Sequence, residues 1–388
     1  MKLIVSGGGT GGHVYPALTV LKAFPRIRSS GSSLPILDPA NVLWIGSRGG
    51  IEEELVQREG LAFVGLAAGG LRGMRLLAQV RNAVQIAGSI AQARRILADF
   101  QPNAVLVTGG YACVAVTLAA WLRRVPVLIY LPDVVPGQAI RFLSRFAERI
   151  AVTSEESYHY FRREKVAVTG YPVRREVFDL DRTEARQALG LDPEEKTLLV
   201  FGGSRGARSI NRALVAGLRE MLPICQVIHV SGRLDSAWVA GTAKTLPAEL
   251  QARYHHFEYL HGMPQALIAA DLAVARAGAA TLGEFPAAGL PAILVPYPHA
   301  GQHQKANAQY LVDSGAAEML LDAELATGLV PKVRELLNSP DALAALAEST
   351  RAMARSDAAE AIAGELWQLA RRHALLSQPP ASEEAGQP

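Results

Sequence analysis

Residues 3–13, Leu-Ile-Val-Ser-Gly-Gly-Gly-Thr-Gly-Gly-His, join a short apolar run to a glycine-rich stretch that ends on His13. A β-branched run followed by glycines and an amphipathic segment is typical of the first strand, turn and helix of a doubly wound α/β domain. The same pattern recurs at residues 198–207, Leu-Leu-Val-Phe-Gly-Gly-Ser-Arg-Gly-Ala. The repetition predicts two such domains in one chain.

Short β-branched runs alternate with longer amphipathic stretches along both halves of the chain, which indicates parallel sheets covered by helices. The predicted strands are residues 2–6, 41–45, 104–108, 126–130, 149–153 and 166–169 in the first half, and 197–201, 226–230, 255–259, 272–275 and 292–296 in the second. The predicted fold class is therefore α/β, with two doubly wound Rossmann-like domains that face a cleft.

Gly and Pro at residues 169–172 mark the boundary between the two halves. We predict a first domain over residues 1–169 and a second over 170–355. A C-terminal helix over 356–375 is expected to return to the first domain, and a disordered tail is expected over 376–388. Residues 25–40 are rich in Pro and Ser, which predicts a surface insertion.

The composition limits the class of protein. The chain has 388 residues, of which 49% are hydrophobic and 19% charged, and this excludes a mostly disordered protein. The N-terminus lacks a signal-peptide pattern, and the uncharged apolar stretch at residues 111–122 is too short to cross a bilayer. The two cysteines, Cys113 and Cys225, predict no disulfide framework, so a reducing cytoplasmic location is expected.

The formal net charge of +3 hides an asymmetry between the halves. Residues 1–170 hold 19 Lys and Arg against 11 Asp and Glu, whereas the remainder holds 20 against 25. A basic first half predicts an anionic partner, which could be a nucleic acid, a membrane face or a phosphorylated substrate. The excess is mostly arginine, which favours phosphate or lipid head groups, and uneven surface solubility is the alternative.

Both glycine-rich turns suit an anion, because glycines allow close approach and a helix N-terminus presents free N–H groups. The first turn lacks the spacing of a nicotinamide site, and no Lys-Ser/Thr pair follows it as in a P-loop. In the second turn, Ser204 could donate its hydroxyl to a phosphate. His13 closes the first turn, where a catalytic or substrate-contact role competes with a structural one.

Two further segments follow predicted strands. In residues 276–284, small residues open a helix and Glu284 lies one turn in, where a carboxylate can accept hydrogen bonds from two ribose hydroxyls. A simple preference of Glu for a helix N-terminus is the alternative. In residues 297–307, Gln304 and Asn307 share a helix face, and their amides suit sugar hydroxyls.

No metal site is predicted. The two histidines of residues 297–307 lack neighbours with ligand spacing. Residues 179–181 form an Asp-Leu-Asp motif, which some sugar transferases use to hold a metal. They directly precede a predicted helix, so we interpret Asp181 as a helix cap.

Taken in order, these segments resemble the MurG family of peptidoglycan glycosyltransferases, a part of glycosyltransferase family 28. The resemblance covers about residues 3–320. The matching motifs are residues 8–13, 46–52, 71–73, 108–111, 170–174, 202–207, 276–284, 287–298 and 303–308.

The resemblance implies a GT-B fold with the active site in the cleft. The implied reaction is an inverting transfer of N-acetylglucosamine from UDP-GlcNAc to undecaprenyl-pyrophosphoryl-MurNAc-pentapeptide (lipid I), which forms lipid II in peptidoglycan synthesis. No cofactor and no tightly bound metal are expected. The expected partners are UDP-GlcNAc, lipid I and an anionic inner-leaflet membrane surface, without nucleic acid. The expected location is the cytoplasmic side of the cell membrane, as a peripheral protein.

The resemblance also implies roles for single residues. On the acceptor side, Thr10, Gly11 and Gly12 match the loop at the two sugars, and His13 matches the candidate general base. On the donor side, the matched residues are Arg174 and Ser204 for the nucleotide-sugar, Leu260 for the uracil, Ala279, Ala280 and Thr281 near the diphosphate, Glu284 for the ribose, and Gln304 and Asn307 for the N-acetylglucosamine.

The sequence departs from the family pattern at residues 130–133, Tyr-Leu-Pro-Asp, where the family commonly has His-Glu-Gln-Asn. Asp133 remains as the polar replacement and is a predicted acceptor contact. Tyr171 replaces a family asparagine. These departures leave open a related GT-B transferase that uses a UDP-sugar on a different lipid. A non-catalytic nucleotide-sugar-binding protein and a dinucleotide oxidoreductase are further alternatives, although the latter lacks the acid expected after the first turn.

Two segments mix arginines with apolar residues and predict contact with a membrane. They are residues 71–98, with Arg72, Arg75, Arg81, Arg94 and Arg95, and residues 140–146. Each basic residue near an anionic surface contributes about 1 kcal/mol to binding. Ordinary packing helices with solvated arginines are the alternative.

Overall fold

The structure is a computed structural model that describes residues 1–29, 32–33, 37–67, 76–203, 206–298 and 303–376, without the side chains of 28–29, 32–33 and 76–84. The chain forms two compact units. The first unit contains Met1–Pro132, Pro136–Thr169 and the chain from Asp357, and the second contains Asp133–Val135 and Gly170–Ser356.

The first unit is built on a parallel sheet. Its strands are Leu3–Gly7 (β1), Arg28–Ser29 (β2), Ser32–Ser33 (β3), Val42–Ser47 (β4), Ala62–Leu66 (β5), Ala104–Gly109 (β6), Val127–Leu131 (β7), Arg149–Val152 (β8) and Val166–Val168 (β9). The parallel strands lie in the order β5-β4-β1-β6-β7-β8-β9, and β2 and β3 form a separate antiparallel pair. The order reverses between β1 and β6, as in a doubly wound sheet.

Helices connect these strands and cover the sheet. They are Gly11–Ala23 (α1), Ile51–Arg58 (α2), Leu76–Phe100 (α3), Ala112–Leu122 (α4) and Gln138–Leu143 (α5). Every residue of β1, β6 and β7 is buried. Burial on both faces explains why these strands are continuous apolar runs without alternation.

The second unit repeats the design. Its strands are Thr197–Phe201 (β10), Gln226–Val230 (β11), Tyr254–Phe257 (β12), Leu272–Ala275 (β13), Ala292–Leu294 (β14) and Ala317–Met319 (β15), in the order β12-β11-β10-β13-β14-β15. Its helices are Glu176–Asp179 (α6), Arg182–Ala188 (α7), Arg208–Met221 (α8), Ser236–Ala243 (α9), Ala248–Gln251 (α10), Met263–Ala269 (α11), Thr281–Ala288 (α12), His303–Asp313 (α13), Leu325–Leu337 (α14) and Pro340–Ala352 (α15). The order reverses between β10 and β13.

The last helix, Ala358–Leu376 (α16), packs in the first unit against α1. The guanidinium of Arg149 donates to both carboxylate oxygens of Glu365 at 2.8 and 2.9 Å, and Arg26 pairs with Glu360. A bidentate pair fixes geometry as well as charge, so these contacts set the position of α16 on the sheet.

The predicted fold class of two doubly wound parallel sheets is confirmed. Four strands were missed. Three of them are very short, because β2 and β3 have two residues each and β15 has three with Glu318 in the middle. The fourth, β5, is an apolar edge strand whose residues are mostly partly exposed. The cap predicted at Asp181 is also confirmed, because Oδ1 accepts from the backbone N–H groups of Thr183 and Glu184 at 2.8 and 3.0 Å. The tail predicted over 376–388 lies, from residue 377, outside the described residues.

A buried polar group lies in the core of the second unit. His229 of β11 has no exposed surface, and its Nδ1 and Nε2 atoms lie 2.6 Å from Tyr254 Oη and 3.0 Å from Asn211 Oδ1. Because an amide oxygen only accepts, Nε2 carries the proton and Tyr254 donates to Nδ1. Burial lowers the pKa of His229 to about 3 from an ordinary value of 6.5.

This burial predicts loss of stability in acid. Between pH 6.5 and 3 the unfolded chain binds a proton at His229 that the folded chain does not, so the free energy of unfolding falls as pH falls. We expect a loss of about 2 kcal/mol between pH 6.5 and 5, measured by urea unfolding. His229→Gln should flatten this pH dependence. His159→Gln, at an exposed position, should leave it unchanged, and equal slopes in all three proteins would contradict the assignment.

Candidate active site

Both glycine-rich turns lie where the strand order of their sheet reverses. Residues 8–10 follow β1 beside the end of β6, and residues 202–203 and 206–207 follow β10 beside the end of β13. The crevice outside the carboxyl ends of the strands at such a reversal is where open α/β sheets bind ligands. Each unit therefore places its turn at the position that its topology favours for a ligand.

His13 sits in the first turn of α1 with a defined ring orientation. Its Nδ1 lies 2.9 Å from the carbonyl oxygen of Gly8 and 3.4 Å from Thr10 Oγ1. A carbonyl only accepts, so Nδ1 carries the proton and Nε2 keeps its lone pair. A neutral His13 held in this way can accept a proton at Nε2, which is the arrangement a general base requires.

The ring of His13 needs glycine beside it. A Cβ atom on Gly109, at φ +127°, would lie 2.8 Å from Nε2. Thr108 adds a further constraint, because its hydroxyl donates to the carbonyl of His13 at 2.7 Å. The end of β6 therefore positions both the backbone and the ring of His13. The neighbouring Thr10, Gly11 and Gly12 lie exposed or half-buried at the start of α1.

A buried carboxylate accepts hydrogen bonds from the backbone of the first turn and of the end of β4. Glu52, the second residue of α2, has no exposed surface and accepts from the N–H of Gly9 at 3.0 Å and of Ser47 at 2.8 Å. A Cβ on Gly8 would lie 2.2 Å from Glu52 Oε1, so glycine is needed where the turn crosses the carboxylate. Sequence reasoning included Glu52 in a motif but gave it no role. The available signal was an acid two residues after Gly50, at a helix start.

In the second unit, Glu284 lies partly buried in the first turn of α12. Burial raises its pKa above the ordinary range, and the nearby Arg174 guanidinium offsets part of that shift. Arg174 also forms an ion pair with Glu176 at 2.9 Å. The structure thus brings the predicted residues Arg174 and Glu284 together.

Tyr171, which replaces a family asparagine, packs against α12. Tyr171 is buried, and a Cβ on Gly283 of α12 would lie 2.6 Å from its Cβ. The tyrosine therefore lies against the helix that carries Glu284. The start of the same helix, with Ala279 and Ala280 half-buried and Thr281 donating to the Gly278 carbonyl at 2.7 Å, presents the positive end of its dipole.

Asn307 is fully engaged inside the second unit. Its Oδ1 accepts from the N–H of Val134 at 3.0 Å, and its Nδ2 donates to Asp133 Oδ1 at 2.8 Å and to the Ala277 carbonyl at 3.1 Å. The residue has no exposed surface. The structure therefore joins two predicted site residues, Asp133 and Asn307, by a direct hydrogen bond. In this arrangement Asn307 holds the segment Asp133–Val135.

A second contact fixes the same segment, because His303 Nδ1 donates to the Val135 carbonyl at 2.8 Å. Next to it, Gln304 Oε1 accepts from the N–H of Tyr297 at 2.9 Å. Because the amide oxygen of Gln304 already accepts this hydrogen bond, the NH2 group of Gln304 is the part that could donate to a sugar hydroxyl. Sequence reasoning missed the role of His303 in holding Asp133–Val135.

The remaining predicted residues have the following positions. Leu260 is half-buried after β12 and packs on the core of the second unit. Ser204 lies outside the described residues. Of the residues on either side of it, Gly206 donates its N–H to the Gly203 carbonyl at 2.9 Å. Of the arginines predicted to contact a membrane, Arg72 and Arg75 lie outside the described residues, as does the side chain of Arg81.

By their own side chains, the described ranges offer neither of two other kinds of function, a metal site and a membrane span. They hold no group of three or more His, Cys, Asp or Glu residues that could bind a metal. Nor do they contain a helix whose length and apolar character would allow it to span a membrane.

The chain matches two models of one family. Residues 3–152 match the glycosyltransferase family 28 N-terminal domain, and residues 197–362 match the glycosyltransferase family 28 C-terminal domain. The two matches fall on the two sheets described above.

Curated relatives and a solved structure are similar over most of the chain. A protein of Roseiflexus sp. (strain RS-1) is 44% identical, with 92% of each chain covered, and one of Desulforudis audaxviator is 39% identical, with 95% of this chain and 99% of the relative covered. Both are named UDP-N-acetylglucosamine–N-acetylmuramyl-(pentapeptide) pyrophosphoryl-undecaprenol N-acetylglucosamine transferase. The crystal structure of Acinetobacter baumannii MurG is 25% identical with a TM-score of 0.73, covering 95% of this chain and 99% of that one.

Proposed function

The chain belongs to glycosyltransferase family 28, and from that membership we propose that it transfers N-acetylglucosamine from UDP-GlcNAc to lipid I, forming lipid II. The observation that carries the proposal is similarity across both units to relatives named for this transfer. The geometry supports it, because each unit carries a glycine-rich turn at the reversal of its sheet, and the first turn holds a histidine whose Nδ1 is bonded to the Gly8 carbonyl, which leaves Nε2 to act as the base.

The proposed reaction is a single in-line displacement. The 4-hydroxyl oxygen of the acceptor MurNAc attacks the anomeric carbon, and His13 Nε2 takes the hydroxyl proton. The bond from the anomeric carbon to the diphosphate oxygen breaks, and UDP leaves with the electron pair. Arg174 and the N-terminus of α12 are the groups proposed to stabilise the charge on UDP.

Glu284 is proposed to bind the ribose of the donor through its carboxylate. Glu284→Gln should raise KM for UDP-GlcNAc about 10- to 100-fold, because an amide cannot replace both acceptor oxygens in charge-assisted hydrogen bonds. Burial raises the pKa of Glu284, so its carboxylate is protonated at a higher pH than that of an ordinary glutamate. As the pH is lowered, the donor affinity of the wild type should therefore begin to fall at a higher pH. The matched control is Glu176→Gln, the other carboxylate beside Arg174. A larger KM increase for Glu176→Gln would transfer the assignment to that residue.

The test of the function is single-turnover transfer of labelled N-acetylglucosamine from UDP-GlcNAc to a short-chain lipid I analogue. We expect labelled lipid II analogue without added metal. A diacylglycerol acceptor is assayed in parallel, because residues 130–133 differ from the family pattern. Product with diacylglycerol but not with lipid I would overturn the proposed acceptor. Donor binding without product on either acceptor would overturn the enzymatic proposal.

We further propose that the first unit docks on an anionic membrane surface through a patch at the ends of α4 and α5. Three large apolar residues are exposed there, Trp121 at 53%, Leu122 at 49% and Phe142 at 44%. The ring of Phe146 joins them, at centroid distances of 5.2 Å from Trp121 and 5.3 Å from Phe142. Exposed apolar residues of this size are suited to insertion among lipid head groups.

Arginines surround this patch. Arg123, Arg124, Arg141 and Arg145 are all exposed, and Arg145 lies over the ring of Phe142. Arginines beside exposed aromatic residues match a surface of anionic lipids, since both the charge and the apolar contact contribute.

Co-sedimentation with vesicles tests the docking surface. The protein should bind phosphatidylglycerol-rich vesicles and bind phosphatidylcholine vesicles weakly. Arg141→Glu with Arg145→Glu should lower binding to the anionic vesicles at least tenfold, given about 1 kcal/mol per basic residue and the added repulsion. The same two reversals at Arg219 and Arg334, exposed residues of the second unit, are the control. Equal effects of the two pairs would show that the patch is not the docking surface.

A further inference from the structure

A polar network in the second unit runs from the core to the second glycine-rich turn. It starts at His229 of β11, which is hydrogen-bonded between Tyr254 and Asn211. Asn211 lies one turn into α8, the helix that follows the turn, and its Nδ2 donates to the Ser231 carbonyl at 2.9 Å and to Asp235 Oδ2 at 3.0 Å. Both Nδ2 partners only accept, so the amide orientation and the proton position on His229 fix each other.

The Ser231 carbonyl is where the network meets the turn. Gly206 packs directly against it, because a Cβ on Gly206 would lie 2.1 Å from that oxygen. Gly206 has φ +78°, a conformation that favours glycine. Gly206, at the described end of the turn, therefore packs against the Ser231 carbonyl oxygen, which accepts a hydrogen bond from Asn211.

The same network fixes the segment that contains Leu260. Ser231 N–H donates to the Phe257 carbonyl at 3.0 Å, and Gly232 N–H donates to the Glu258 carbonyl at 3.1 Å. The Ser231 hydroxyl also lies 2.8 Å from His256 Nε2. Ser231 and Gly232 thus connect the turn on one side to the chain leading to Leu260 on the other.

A second branch fixes the start of α8. Asp235, 3% exposed, accepts from Arg208 Nε at 2.8 Å in addition to Asn211. Arg208 is the first residue of α8, so its position and that of Asn211 are set by one carboxylate. Replacement of one member of such a network leaves its partners buried and unpaired.

We propose that His229 is a positioning residue for the donor site, acting through Asn211 and Ser231 to hold the Gly206 turn at a fixed distance from the Leu260 segment. The inference rests on the proposed function and on the roles that the family resemblance implies, in which the second turn contacts the nucleotide-sugar and the Leu260 segment contacts the uracil of one UDP-GlcNAc. Fixing both parts before the donor arrives lowers the ordering cost of binding.

The test compares two substitutions at one position. His229→Leu leaves Tyr254 and Asn211 without their partner, whereas His229→Gln can accept from Tyr254 and donate to Asn211. We expect His229→Leu to raise KM and Kd for UDP-GlcNAc about tenfold or more, with kcat and the KM for the lipid I analogue changed less than about threefold. His229→Gln should restore donor affinity to within about threefold of the wild type.

Leu329→Ala is the control for general loss of stability, because Leu329 is a buried residue of α14 outside the network. An unchanged donor Kd in His229→Leu, or an equal rise in Leu329→Ala, would overturn the positioning role. Kd is measured by calorimetry, which requires no acceptor. If the wild type binds UDP-GlcNAc but transfers nothing to lipid I, the proposed acceptor fails and the positioning role is still decided by Kd. If the wild type does not bind UDP-GlcNAc, both proposals fail.

Discussion

Replacing His13 with alanine is expected to lower the rate of N-acetylglucosamine transfer about 10²- to 10⁴-fold, the range for removal of a general base. The Kd for UDP-GlcNAc should change less than about threefold, because the residues proposed to bind the donor nucleotide lie in the second unit. The loss of transfer rate is expected from the orientation of the His13 ring, in which Nδ1 donates to the Gly8 carbonyl and Nε2 keeps its lone pair for the acceptor's proton. Single-turnover transfer and calorimetry measure the two quantities separately.

A second substitution distinguishes the role of His13 as a base from its role in the hydrogen bonding of the turn. His13→Asn keeps a donor that can reach the Gly8 carbonyl but lacks a basic nitrogen, so it should be as inactive as alanine. His159→Ala, at an exposed position of the first unit, is the control and should retain full activity. Turnover of His13→Asn close to that of the wild type would show that His13 only shapes the turn.

The position of His13 was predictable because it depends on topology. Continuous β-branched runs identify the buried strands, and parallel strands bring their carboxyl ends to one edge. Residues that follow β1 and β10 must then lie at the reversals of the two sheets. The same logic failed for β2, β3 and β15, because two or three residues are too short a run to be recognised. It also missed β5, where a glycine lies within the apolar run Ala-Phe-Val-Gly-Leu.

The contacts within the site were less predictable. The hydrogen bond between Asp133 and Asn307 joins residues 174 positions apart and depends on side-chain orientation. Asn307 was predicted as a sugar contact because an amide on a helix face suits hydroxyls, but its burial is a tertiary property that spacing does not encode. Its role at the sugar stays a prediction. In this structure its donors and its acceptor are engaged by Asp133, Val134 and Ala277.

The turn that positions His13 should itself depend on a buried acid. Glu52→Ala removes two charge-assisted hydrogen bonds and leaves the N–H groups of Gly9 and Ser47 without acceptors. We expect the free energy of unfolding of the first unit to fall by about 3 kcal/mol. Hydrogen exchange at the Gly9 and Ser47 amides should become faster, and the transfer rate should fall because the carbonyl of Gly8, which orients His13, lies next to Gly9.

Glu52→Gln provides the graded test, in case the alanine variant does not fold. One amide oxygen replaces two carboxylate oxygens, so one of the two N–H groups loses its acceptor, and the effect on stability should be about half as large. The control is Glu54→Ala on the same helix, where an exposed pair with Arg58 is worth less than about 1 kcal/mol. If both the Gly9 and the Ser47 amides of Glu52→Gln exchanged at the wild-type rate, the carboxylate would not be what holds the turn.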